Sequence, residues 1–155
     1  MILYVAISAV ILSALGTMVN MSYKIRARQQ VMSEVEQQGT EITQIINQVI
    51  RNSASITTPI ATASGSSLTL AFTDVAKNPT VFDLSGTTLR INEGGTGAMS
   101  LSNSKVQISA LSFSNLTRAS TPGAVKFNFT VSYVNPNNYP QYNYSQTFYG
   151  SASLR

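Results

Sequence analysis

Apolar and polar positions follow three regimes along the chain. From Met1 to Asn20 the residues are almost uniformly Ile, Leu, Val, Ala and Met, and no charge occurs before Lys24. The interruptions Ser8, Ser13 and Thr17 are small, and such hydroxyls bond back to carbonyls of their own helix. A helix rising ~1.5 Å per residue needs about 20 residues to cross a hydrocarbon core. The run has that length and no proline, which predicts a membrane-inserting helix.

From Ile25 onward the pattern becomes one-sided. Val31, Val35, Ile42, Ile45, Ile46, Val49 and Ile50 recur at spacings that keep them on one side of a 3.6-residue turn. No proline precedes Pro59, and Gly39 is the only glycine in this stretch. One helix is therefore expected from the chain start to about Ser53. Residues 1–23 would be its apolar half and 24–55 its amphipathic continuation, an anchor fused to the spine of a soluble head.

The third regime is alternation. Thr57-Thr58-Pro59 ends the helix, and residues 56–67 read as a small, polar connector. Over 68–155, short runs alternate apolar and polar side chains. These are Leu68/Leu70/Phe72, Val81–Leu84, Leu89/Ile91, Lys105–Ile108, Leu111/Phe113, Val125 to Tyr133, and Gln146–Leu154. Runs rich in Val, Phe, Thr and Tyr between Gly, Asn, Ser and Pro clusters predict antiparallel strands. Ser85-Gly86 is expected as a tight turn and Glu93–Gly97 as a looser one. The predicted fold is α+β: a long N-terminal helix whose C-terminal half carries one meandering antiparallel sheet. Leu68, Leu70, Phe72, Leu111, Phe113, Phe127 and Phe129 should pack on Ile42, Ile45, Ile46 and Val49.

Composition removes most chemistries. The 155 residues contain no His and no Cys, so imidazole or thiolate nucleophiles and metal ligands are excluded, as are disulfides. Six carboxylates are present, three on the helix and three (Asp74, Asp83, Glu93) near strand ends or turns, with no spacing that suggests a pair or a cation cage. Gly94-Gly-Thr-Gly97 lacks the Lys and the strand-to-helix setting of a phosphate loop. The net charge of +4 forms no basic cluster of the kind that tracks nucleic acid, so a specific nucleic-acid ligand is not expected. No enzyme activity and no cofactor are expected.

Three groups of residues remain as candidate contact sites. Ala9, Ser13, Gly16, Thr17 and Asn20 form a stripe of small or weakly polar side chains on one helix face. Such stripes admit close helix packing in apolar surroundings, although small residues are common in any membrane helix. Lys24, Arg26 and Arg28 follow the anchor; they could meet lipid headgroups or pair with Glu34, Glu36 or Glu41 of other subunits. Tyr139, Tyr142 and Tyr144 lie in a tyrosine-rich C-terminal segment, beside the loop Asn135-Pro-Asn-Asn-Tyr-Pro140. They could cover the sheet or contact a ligand or surface. Asn115-Leu-Thr, Asn128-Phe-Thr and Asn143-Tyr-Ser match the glycosylation acceptor pattern, which chance explains in a chain so rich in Asn, Ser and Thr.

Met1-Ile-Leu-Tyr-Val-Ala-Ile-Ser8, followed by the long amphipathic helix, resembles the N-terminus of type IV pilins and pseudopilins. Gln48-Val-Ile-Arg-Asn-Ser-Ala-Ser55 resembles the end of the spine helix in pseudopilin-like members. The resemblance implies that Met1 lies five residues inside the mature chain, behind a basic leader and an opening segment that ends in Glu. It implies insertion in the cytoplasmic membrane with the head outside, then a helical filament of copies or related pilins for adhesion, motility or DNA uptake. A minor pilin or pseudopilin of a secretion or DNA-uptake machine is the alternative within the family; a membrane-tethered binding module that never polymerises is the alternative outside it. Two departures stand out. The anchor proline of many major pilins would fall near Thr17 and is absent, leaving Gly16 as the one candidate for local unwinding, and no C-terminal disulfide is available.

Overall fold

The computed structural model describes residues 1–155 apart from the side chain of Ile2. A single helix, α1, runs unbroken from Ile2 to Asn52, 51 residues and therefore about 75 Å at ~1.5 Å per residue. Its C-terminal half buries Val31, Val35, Gly39, Ile42, Ile46 and Ile50, an i, i+4, i+3 series on one face. Ile45, expected in that face, is only half-buried on its flank, and Ile25 is exposed. The helix stops where the Ser53 amide and hydroxyl both donate to the Ile50 carbonyl, at 3.2 and 2.7 Å.

Nine strands follow: β1 Ser55–Thr58, β2 Ser64–Gly65, β3 Leu68–Ala71, β4 Thr80–Ser85, β5 Thr88–Glu93, β6 Ala98–Ser100, β7 Val106–Asn115, β8 Ala124–Tyr133 and β9 Ser145–Ser153. The fold is α+β, a long N-terminal helix against antiparallel sheet. The sheet is not a single meander, however. It divides into a five-stranded sheet, β1-β3-β4-β5-β6, and a four-stranded sheet, β2-β7-β8-β9. Stretch 56–67, expected as connector, contributes most of β1 to the first sheet and all of β2 to the second. The tight turn is Gly86-Thr87, one residue later than expected, because Ser85 pairs with Thr88; Gly86 takes φ +61°.

The helix packs mainly on β8 and β9. Val125, Phe127, Phe129 and Val131 of β8 point inward, while Lys126, Asn128, Thr130 and Ser132 face away. In β7 that alternation changes phase. Val106 and Ile108 are buried, then Leu111 and Phe113, with Ser109 and Ala110 exposed between them. Ser109 pairs with Thr130 but Ser112 pairs with Asn128, so one extra residue is inserted, and Ala110 adopts φ +51°. The two apolar runs expected as separate are therefore one strand, and the bulge returns both halves to the same face.

The two sheets share one core. Phe82 on β4 lies 6.4 Å from Phe113 on β7, ring centre to ring centre. The series continues through Phe127 and Phe129 to Phe148 on β9, at 6.3, 6.4 and 5.6 Å. Leu68, Leu70, Leu89 and Ile91 of the first sheet join the cluster that holds Val35, Ile42, Ile46 and Ile50 of α1. Fully burying each large apolar side chain contributes ~1.5–3 kcal/mol, so the helix face is a wall of the head. On the surface, Arg90 makes a two-pronged pair with Asp83 at 3.0 and 2.6 Å, and these hydrogen bonds hold the guanidinium pKa above its ordinary value.

Candidate functional site: the exposed helix half and its boundary

The head covers only the second half of α1. From Leu3 to Ile25 the large apolar side chains project outward; Leu12 is 69% exposed and Val19 53%. The most apolar 18-residue window has a mean hydropathy of 1.8 and none of it is buried. The helix is long and apolar enough to cross a membrane. Folded proteins seldom leave a continuous apolar surface of this extent in water without a membrane or a partner to cover it.

The Ser and Thr hydroxyls of this half are turned inward on the helix itself. Ser8, Ser13 and Thr17 donate to the carbonyls of Val5, Val10 and Ala14 at 2.8–2.9 Å, and Ser22 donates to Met18 at 3.0 Å. Thus the hydroxyls need no outside partner and the surface behaves as apolar. Ala9, Ser13, Gly16, Thr17 and Asn20 share one face by their steps of three and four, all exposed. A Cβ added at Gly16 would meet nothing within 4 Å, so no contact inside the chain requires glycine there.

At the boundary, Lys24, Arg26 and Arg28 are exposed, and none has a carboxylate partner among the described residues. The three candidate acids separate into two kinds. Glu34 is turned into the head, its carboxylate accepting from Asn103 Nδ2 at 2.7 Å and lying 3.5 Å from Lys105 Nζ. Gln38 completes the contact by accepting from the Asn103 amide at 3.3 Å. Glu36 and Glu41 instead stand exposed along a shallow polar groove with Ser33 and Thr40, and Glu41 accepts from Gln38 Nε2 at 3.2 Å. Asp83 is held by Arg90, and Asp74 accepts from the Ala76 amide at 3.0 Å.

The tyrosines also divide. Tyr139 and Tyr142 come together in an edge-on contact of 6.2 Å, and Tyr142 stacks on Tyr133 at 6.1 Å. Tyr144 points elsewhere, against the edge of the core, with its hydroxyl 2.9 Å from Gln146 Oε1. Tyr133, Tyr139 and Tyr142 line a cleft closed on its other side by Ala27, Gln30 and Val31 of α1. The tyrosine spacing flagged the loop; the helix side of the cleft had no signal in the sequence. Asn115 is buried, with its amide donating to Pro59 at 2.8 Å, so that acceptor motif is a structural tie.

No family model, curated protein or solved structure matches this chain.

Proposed function

We propose that the chain is a non-enzymatic structural subunit of a type IV pilus-like filament. The apolar half of α1 holds the subunit in the membrane before assembly, and afterwards packs with the same segment of other copies. The observation that carries this reading is the fully exposed apolar helix half, continuous with a spine that the head clasps firmly. A helix built this way couples a rigid head to a segment with two apolar environments available, lipid and other helices. In lipid, packing rather than water drives association, and the small face at Ala9, Ser13 and Gly16 admits close approach. Lys24, Arg26 and Arg28 then meet Glu36 and Glu41 of neighbours, the two exposed helical acids, of which Glu41 accepts only from Gln38 of its own helix.

Electron microscopy of material sheared from the surface of cells expressing the full-length chain tests the proposal. Filaments that label with antibody to the head are expected. A surface bare of such filaments, with the protein retained in the membrane fraction, would instead support a short periplasmic pseudopilin or a tether that never polymerises.

A further inference from the structure

The tyrosine cleft occupies a defined height on the helix. The uncharged run ends at Tyr23 and the first charge is Lys24. Ala27, on the helix wall of the cleft, comes four residues after Tyr23, about 6 Å further along at ~1.5 Å per residue. With a hydrocarbon core of roughly 30 Å in a bilayer of about 40–45 Å, each headgroup layer is of similar depth. A span ending at Tyr23 thus puts the mouth of the cleft at headgroup level.

Chemistry at this end of the head suits that layer. Residues 134–144 contain no charged side chain, so no carboxylate repels anionic headgroups there. Lys24, Arg26 and Arg28 lie on the turns of α1 around Ala27, exposed and without partners among the described residues. Tyrosine, with an apolar ring and a polar tip, concentrates where hydrocarbon gives way to water. Half of Tyr139 is exposed.

The loop is also built to hold the backbone at Tyr139 in place. Asn135 clasps Tyr139 by two hydrogen bonds, donating to its carbonyl at 2.9 Å and accepting from its amide at 3.0 Å. The Tyr142 amide donates to the Tyr139 carbonyl at 3.0 Å, and the Val134 amide to Lys105 at 2.9 Å. Little ordering is left to be done on contact, which favours binding.

We infer that the Tyr139–Tyr142 loop is an interfacial foot: before assembly it rests on the headgroup layer of an anionic bilayer, fixing the height and rotation of the head. The inference rests on the membrane-spanning part of the proposed function. It adds a second contact between head and lipid that assembly must release.

The chain contains no Trp, so single-Trp variants report one site each. Full-length Leu12→Trp, Tyr139→Trp and Tyr149→Trp variants are placed in vesicles of phosphatidylglycerol and phosphatidylcholine in equal amounts. The lipids carry bromine either near the headgroup or near the chain ends. Tyr149 is the control because it lies on the outward face of β9, next to Phe148, whose ring lies over Gly39. Leu12→Trp should lose emission to deep bromine and Tyr139→Trp to shallow bromine, while Tyr149→Trp keeps its emission with both. Quenched Leu12→Trp together with unquenched Tyr139→Trp overturns the foot alone. Unquenched Leu12→Trp overturns the membrane-spanning reading and the foot together. A Tyr139→Trp emission that ignores bromine but shifts to the blue with protein density assigns the cleft to a second copy, and also overturns the foot.

Discussion

The ring of Phe148 on β9 fills the space that a Cβ at position 39 of α1 would need. Gly39 is buried in the middle of the spine, and the aromatic series from Phe82 ends on it. A mid-helix glycine costs about 1 kcal/mol relative to alanine, and here it admits close approach of sheet and helix. Gly39→Ala should therefore destabilise the head, because overpacking of ~1–3 kcal/mol outweighs the propensity gain. Denaturant unfolding of the detergent-solubilised full-length protein measures the change. Adding Phe148→Leu to Gly39→Ala should recover part of the loss, as coupled neighbours do; a Gly39→Ala variant more stable than the parent would refute the packing argument.

Ile45 and Ile46 are adjacent in sequence but differ in environment. Ile46 is fully buried, whereas Ile45 is half-buried and stands outside the main cluster. Ile46→Ala should lose ~2–5 kcal/mol through transfer and cavity terms, and Ile45→Ala less than half as much. Paired unfolding midpoints check this, and equal losses would place the wrong face against the sheet.

Ala110 holds the β7 bulge in the left-handed region, with φ +51°. That conformation costs a non-glycine residue roughly 1–2 kcal/mol. Ala110→Gly should therefore be neutral or stabilising by up to about 1 kcal/mol, after the entropy that glycine loses on folding. Deleting Ala110 should also be tolerated, since Val106, Ile108, Leu111 and Phe113 then fall in unbroken alternation and Leu111 comes opposite Phe129 with no register shift. Thermal unfolding by circular dichroism checks both variants: a deletion that unfolds the head would contradict the reading of Ala110 as the one extra residue of the strand.

The helical acids should respond differently to substitution. Glu34→Ala removes a carboxylate that accepts from Asn103, at 23% side-chain exposure, and should cost ~1–3 kcal/mol as a charge-assisted hydrogen bond. Lys105→Ala should cost well under 1 kcal/mol, because its contact with Glu34 is long and mostly exposed. Glu36→Lys with Glu41→Lys should leave unfolding unchanged yet reduce filament yield. An unchanged yield would remove these two acids from the assembly contact.

Much of this architecture could be read from periodicity alone. The uninterrupted apolar-to-amphipathic pattern specified α1 almost to its last residue, because nothing before Pro59 could break it. The strands with clean alternation, β8 above all, were equally legible. β1 was not, since Ser55-Ile-Thr-Thr carries a single apolar side chain and its pairing with β3 rests on backbone hydrogen bonds. The division into two sheets was hidden because both feed their apolar faces into one core. Among the candidate contact residues, the exposed anchor followed from hydropathy. The inward turn of Glu34 depends on Asn103, 69 positions away, and local spacing carries no trace of such a partner.

Site-directed cross-linking tests the central claim most directly, since the chain has no native Cys to confuse it. Ala9→Cys and Ser13→Cys report on the apolar half, and Val75→Cys, on an exposed turn of the head, serves as the control. Oxidation in membranes of cells assembling the full-length protein should give ladders of covalent multimers from the anchor positions when each is paired with a second anchor cysteine such as Gly16→Cys, and monomers from the control. Monomers from every variant, with the helix still inserted in the bilayer, would contradict the account.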